Sequence, residues 1–186
     1  MPGRIMKKNI LVATNTQKVL SFILEYSVND FTEKEIEKMV GISKSGTNYA
    51  LKDLVKAKFL FRHKRGKIHF YSLNRKNPVL KQFKVLKTIT QIQSLLQKLK
   101  KSSSRVILFG SCSRGEDTAG SDIDLLIVSR SKKQVEEWVR KFRSKRKIQC
   151  IIRNNLRYTE MKQKEPVFYG QVNQGIILWE VSSEES

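Results

Sequence analysis

The stretch Phe109-Gly110-Ser111-Cys112-Ser113-Arg114-Gly115, followed by Ser121-Asp122-Ile123-Asp124-Leu125, decides how this chain is read. Immediately upstream, Arg105-Val106-Ile107-Leu108-Phe109 is a short apolar run of the kind a buried strand uses. Gly110-Ser111 then makes a strand-to-helix turn, where backbone N–H groups and a hydroxyl can meet a phosphate. Ser121 to Val128 reads as a second strand. Side chains alternate along it, so Asp122 and Asp124 leave one face about 6–7 Å apart and Ile123 and Leu125 take the other. Two carboxylates held side by side repel, and their pKa values rise unless a cation neutralises them. A hard divalent ion such as Mg²⁺ does so, and it also binds the oxygens of a triphosphate.

Glycine-serine, ten residues, then Asp-Ile-Asp resembles the signature of the polymerase-beta-type nucleotidyltransferases, and the wider string resembles their minimal, single-domain branch. The likeness spans about residues 104–181. Its closing part is Gly170 to Glu180, with Gly175-Ile176-Ile177-Leu178-Trp179-Glu180 similar to that branch's last strand. The resemblance implies that Gly110 and Ser111 hold the β- and γ-phosphates of an NTP, with Arg114 as a counter-charge. Asp122 and Asp124 would ligate magnesium, in a site for two ions about 3.5–4 Å apart. The implied reaction is attack of a hydroxyl on the α-phosphorus, moving a nucleoside monophosphate to an acceptor and releasing pyrophosphate. The family carries a third carboxylate on the next strand. Here that strand is Lys147-Ile148-Gln149-Cys150-Ile151-Ile152, and Gln149 takes the position. Glutamine supplies no charge and cannot act as a base, and general-base help is typically worth about 10²–10⁴-fold. NTP and metal binding are expected; fast turnover is not.

Outward from the motif, charge is lopsided. The 186 residues hold 37 Lys+Arg against 17 Asp+Glu, a net +20. Counting along the sequence, residues 1–100 carry 21 basic and 6 acidic side chains, and residues 101–186 carry 16 and 11. Between Asp53 and Glu116 there is no acid, while 16 Lys/Arg fall there. Such a span suits a surface that faces phosphates. No apolar run approaches the roughly 20 residues of a membrane helix. The N-terminal Arg4, Lys7, Lys8 and Ile10 to Ala13 are too short for an export signal. Cys112 and Cys150 make neither a disulfide framework nor a CxxC pair. A cytoplasmic protein without membrane association is expected.

The first half reads as helices followed by a hairpin. Val19, Leu20, Phe22, Ile23 and Tyr26 follow helical spacing. Thr32 and Glu35 form a capping box for a second helix with Ile36, Met39 and Val40 inward, and Gly41 ends it. Ser43 opens a third helix, with Tyr49, Ala50, Leu51, Leu54 and Val55 inward. Phe59 to His63 and Lys67 to Leu73 flank Lys64-Arg65-Gly66 as a hairpin. This order resembles a winged helix-turn-helix DNA-binding domain over about residues 10–75. The resemblance implies that the third helix enters a major groove of double-stranded DNA with Lys44, Ser45, Thr47, Asn48 and Lys52 outward. Lys64, Arg65 and Lys67 at the hairpin tip would follow neighbouring phosphates. His63 and His69 read as solvent-facing strand residues rather than a metal pair.

Pro78 opens a helix to about Lys100, with Val85, Ile89, Ile92, Leu96 and Leu99 at heptad-like spacing. That stripe either packs on the following domain or forms a homodimer seam. The expected fold class is α+β: a winged helix over 1–77, a linker helix over 78–103, and a nucleotidyltransferase-like domain with a mixed sheet over 104–186. Arg140 to Lys147 reads as a solvated helix end or a phosphate-tracking strip, and Cys112 as an ordinary loop residue. Three functions stay open at this point: transfer from an NTP to an acceptor such as a protein, NTP-sensing regulation of transcription, and a non-catalytic antitoxin-like module pairing with a helical partner.

Overall fold

A computed structural model describes residues 13–181, so the N-terminal residues weighed as an export signal lie outside the described residues. After Leu80 the chain divides into two compact units. The first contains α1 (Asn15–Glu25), β1 (Phe31–Thr32), α2 (Glu33–Val40), α3 (Lys44–Lys56), β2 (Leu60–Arg65) and β3 (Ile68–Leu73). Each helix starts where a hydroxyl side chain accepts from an otherwise unpartnered N–H: Thr14, Thr32 and Ser43. The expected Thr32–Glu35 capping box is present, and Thr14 forms a second one with Gln17. Gly41 closes α2 in the left-handed region. The three strands form an antiparallel sheet in the order β1-β3-β2.

Val19, Ile23, Leu24, Ile36, Leu51 and Leu54 are buried in this unit. The inward face of α3 is Thr47, Ala50, Leu51 and Leu54, which is the i, i+3, i+4, i+7 stripe of a helix. Tyr49 lies off that stripe and is 70% exposed, and Met39 of α2 is 60% exposed. Both were expected inside. The stripe also overturns the outward placement of Thr47, whose hydroxyl is buried and donates to the Ser43 carbonyl at 3.0 Å. The hairpin turn is the two residues Gly66-Lys67 rather than Lys64 to Gly66, with Lys64 and Arg65 drawn into the ladder opposite His69 and Ile68. Only the first turn residue needs positive φ, and Gly66 supplies it at 60°.

Helix α4 (Pro78–Leu99) leads into the second unit, which continues with β4 (Ser103–Phe109), α5 (Gly110–Ser113), β5 (Ile123–Ser129), α6 (Lys132–Lys141), β6 (Ile148–Arg153), α7 (Asn155–Lys164), α8 (Pro166–Asn173) and β7 (Ile176–Glu180). The sheet is mixed, as expected, in the order β6-β5-β4-β7. β5 and β6 run parallel, and β4 is antiparallel to both its neighbours. Alternation sends Val106, Leu108, Ile123, Leu125 and Ile127 to one core, shared with Ile92, Leu95, Leu96 and Leu99 of α4. Ile107, Phe109, Leu126 and Val128 go to the other, shared with Met161 of α7 and Val172 of α8. The α4 stripe is therefore consumed by its own unit's sheet and is not free to be a homodimer seam. Among the described residues no helix is long and apolar enough to cross a membrane.

Candidate functional site

β4 ends at Phe109, and the chain turns through Gly110 at φ 71° into the single turn of α5. The Gly110 Cα lies against the neighbouring strand: a β-carbon there would stand 2.4 Å from Oδ2 of Asp124. Only glycine satisfies both the left-handed φ and this approach. The glycine-serine bend and the Asp124 carboxylate thus converge, as the sequence motif requires. Burial, and then the charge of Asp122, push the Asp124 carboxyl above its ordinary pKa. Asp122 has a cation, Lys147, 3.9 Å from its Oδ2, and both side chains reach solvent.

The parallel register pairs Asp124 with Gln149. Paired residues of a parallel ladder share a face, so Gln149 stands beside Asp124, on the side of the sheet that carries α7 and α8. It is exposed. Among the described residues no group of three or more His, Cys, Asp or Glu side chains gathers as a metal-binding cluster. Asp122 and Asp124 have an amide for a neighbour where a third acid would complete such a set. Ser111, on α5, is half-buried. Arg114 is exposed, and its Nε donates to Glu116 at 3.0 Å. Glu116 also accepts from Lys81 at 2.8 Å, and these two hydrogen bonds, the Lys81 one foremost, hold its carboxyl below the ordinary range. Arg114 is therefore ion-paired with Glu116.

Behind the bend lies a buried ionic cluster that the sequence reading missed. Arg146 donates from Nη1 to Asp117 Oδ2 at 2.5 Å, and from Nη2 to Thr88 Oγ1 at 3.2 Å and Cys112 Sγ at 3.1 Å. Cys112, fully buried, donates in turn to the Asp122 carbonyl at 3.0 Å. Burial pushes its thiol up, with Arg146 opposing. Lys84 donates to the Asp117 carbonyl and lies 3.6 Å from its Oδ1. Burial pushes the Lys84 ammonium down, offset in part by Asp117. Arg146 is thus neither a solvated helix end nor part of a phosphate strip, and Cys112 is a strut from α5 to Asp122, the residue before β5, rather than a loop residue. One signal was available: Lys84 and Thr88 continue the inward α4 series Ile92, Leu95 and Leu99. A cation on a buried stripe demands a buried acid.

In the first unit, Lys44, Ser45, Lys52, Lys64 and Lys67 are exposed as expected. Lys52 lies over the Tyr49 ring at 5.9 Å. Asn48 is half-buried and donates to the Glu33 carboxylate at 3.2 and 3.3 Å. Arg65 is paired with Asp30, its guanidinium 4.9 Å from the Phe70 ring centre. His63 stacks on the same ring and faces Asp30 at 3.3 Å, so it is half-buried rather than solvent-facing.

No curated protein and no solved structure matches the chain significantly. Residues 89–169 match the family model described as the nucleotidyltransferase domain, a segment that contains Gly110, Ser111, Asp122, Asp124 and Gln149.

Proposed function

We propose that the second unit binds an NTP with Mg²⁺ and that the first is a winged helix-turn-helix on duplex DNA, making the protein an NTP-responsive DNA-binding regulator with little transferase turnover. The observation that carries this reading is the register of Asp124 with Gln149: two acids are kept for binding, and the position suited to a general base is an amide. The family match supports nucleotidyl transfer as the ancestral chemistry of the unit. The order of helices and strands in the first unit, and the exposed Lys44, Lys52, Lys64 and Lys67, support the DNA reading.

Asp122 and Asp124 suit a divalent cation, because burial first and the Asp122 charge second hold the Asp124 carboxyl up, and a cation bound at the pair would relieve both. Bound there, Mg²⁺ would neutralise triphosphate oxygens. The chain's own residues do the rest. Gly110 leaves room for the Asp124 carboxylate, Ser111 offers its hydroxyl and N–H to phosphate, and the Cys112 strut ties the bend to the Asp122 backbone.

Incubating the full chain with Mg²⁺ and labelled NTPs tests this. Saturable binding without label transfer is expected, with binding lost in Asp124→Asn and transfer appearing in Gln149→Asp. Wild-type transfer as fast as that of Gln149→Asp would replace the regulator reading with a transferase.

A further inference from the structure

The first unit contains a cavity of about 310 Å³ between α3 and the β2–β3 hairpin. Its floor is apolar: Leu51 and Tyr71 are buried and Val55 is half-buried. Its mouth is cationic, with Lys52 and Lys56 from α3 and Arg62 from β2, and His69 of β3 also lines it. One acid, Glu33, lines it, and its carboxylate is engaged by the Asn48 amide. Burial pushes the Tyr71 phenol up, with the charge of Arg62 opposing and that of Glu33 adding to it.

Three cations against one acid leave the lining net positive, which suits an anion. A backbone phosphodiester accounts for the rim but leaves the apolar floor unused. A volume at the lower end of the range of small-molecule sites, about 300–1,000 Å³, suits a compact ligand with a carbon body. We propose that this cavity binds a small organic phosphate, its phosphate between Lys56 and Arg62 and a ring-sized apolar body on Leu51, Val55 and Tyr71. Asn48 and Lys52 belong both to the cavity and to the outward side of α3, so an occupied cavity competes with duplex DNA; this last consequence rests on the DNA reading, whereas the site itself does not.

The test titrates the full chain with phenyl phosphate and, separately, with inorganic phosphate. One-to-one binding of phenyl phosphate is expected, at least tenfold tighter than inorganic phosphate because a ring leaves water. Arg62→Gln should weaken it at least tenfold, and Val55→Ser should weaken phenyl phosphate while leaving inorganic phosphate unchanged. Lys56→Gln, on the exposed side of α3, serves if Arg62→Gln disturbs β2. Equal affinity for the two probes would make the cavity a backbone-phosphate contact only and overturn the proposal. So would phenyl phosphate binding that neither Arg62→Gln nor Lys56→Gln weakens. Failure of NTP binding at Asp122 and Asp124 would leave these outcomes untouched, because Arg62, Lys56 and Val55 lie in the other unit.

Discussion

Gly110, just past the end of β4, lies against Asp124 of β5: a β-carbon on the glycine would stand 2.4 Å from the carboxylate. Gly110→Ala therefore has two costs, the collision and the left-handed φ of 71°, the latter alone about 1–2 kcal/mol. We expect lower stability in denaturant melts. NTP affinity should fall more than tenfold in calorimetry, because Asp124 must move.

Asp124 also sets a pH dependence. Its folded pKa lies above its unfolded value, through burial first and Asp122 second, so the folded state holds more protons in that interval. Stability without metal falls as pH rises from the ordinary aspartate pKa through the raised one, and the penalty is complete above it. Asp124→Asn should raise the metal-free Tm at neutral pH and reduce this slope. Added Mg²⁺ should raise the wild-type Tm and leave the variant unmoved. Thermal melts from pH 3.5 to 7.5 check both.

The Arg146–Asp117 pair is nearly enclosed, at 13% and 8% side-chain exposure. Losing one partner of a buried pair costs about 3–5 kcal/mol, and because Lys84 stays 3.6 Å from Asp117 Oδ1 the loss here falls toward or below the lower end of that range. Arg146→Ala should show that loss in urea unfolding. Arg146→Lys should recover part of it, since an ammonium can keep Asp117 but cannot span Thr88 and Cys112 together.

Duplex binding should weaken steeply with salt, by a log–log slope near −0.9 for each phosphate neutralised. Replacing both Lys64 and Lys67 with Gln should make the slope shallower by about 2. Arg65→Gln should matter less, because Asp30 already occupies that guanidinium. Fluorescence anisotropy between 50 and 300 mM salt measures it.

Thr47→Val should leave the preferred DNA sequence unaltered. The side chain is buried and bonded to Ser43, so its loss reaches stability, by about 1 kcal/mol, rather than base contacts. Selection of binding sites from a random duplex pool checks this.

Much of the architecture was legible because it is written in near neighbours. Thr32 and Glu35 sit three apart and cap α2. Val106 and Leu108 alternate with Ile107 and Phe109 and face opposite cores. Gly110, Asp122 and Asp124 needed only the strand period and a turn. Side chains at element margins were not legible. Tyr49 was expected inside and Thr47 outside, because the α3 stripe was begun from the larger residue rather than from the series Thr47, Ala50, Leu51, Leu54.

By itself, the sequence determined the caps that open α2 and α3, which faces of the central strands are apolar, and that two acids follow a glycine-serine bend. Those follow from local sterics, caps and periods of 2 and 3.6. Tertiary structure alone decided that Asp124 rests on Gly110, that Gln149 stands beside it, that α4 spends its stripe on its own sheet, and that Arg146 is buried on Asp117. The three side-chain pairings join positions 14 or more residues apart, and no local period encodes which distant group will neutralise a charge once water is excluded.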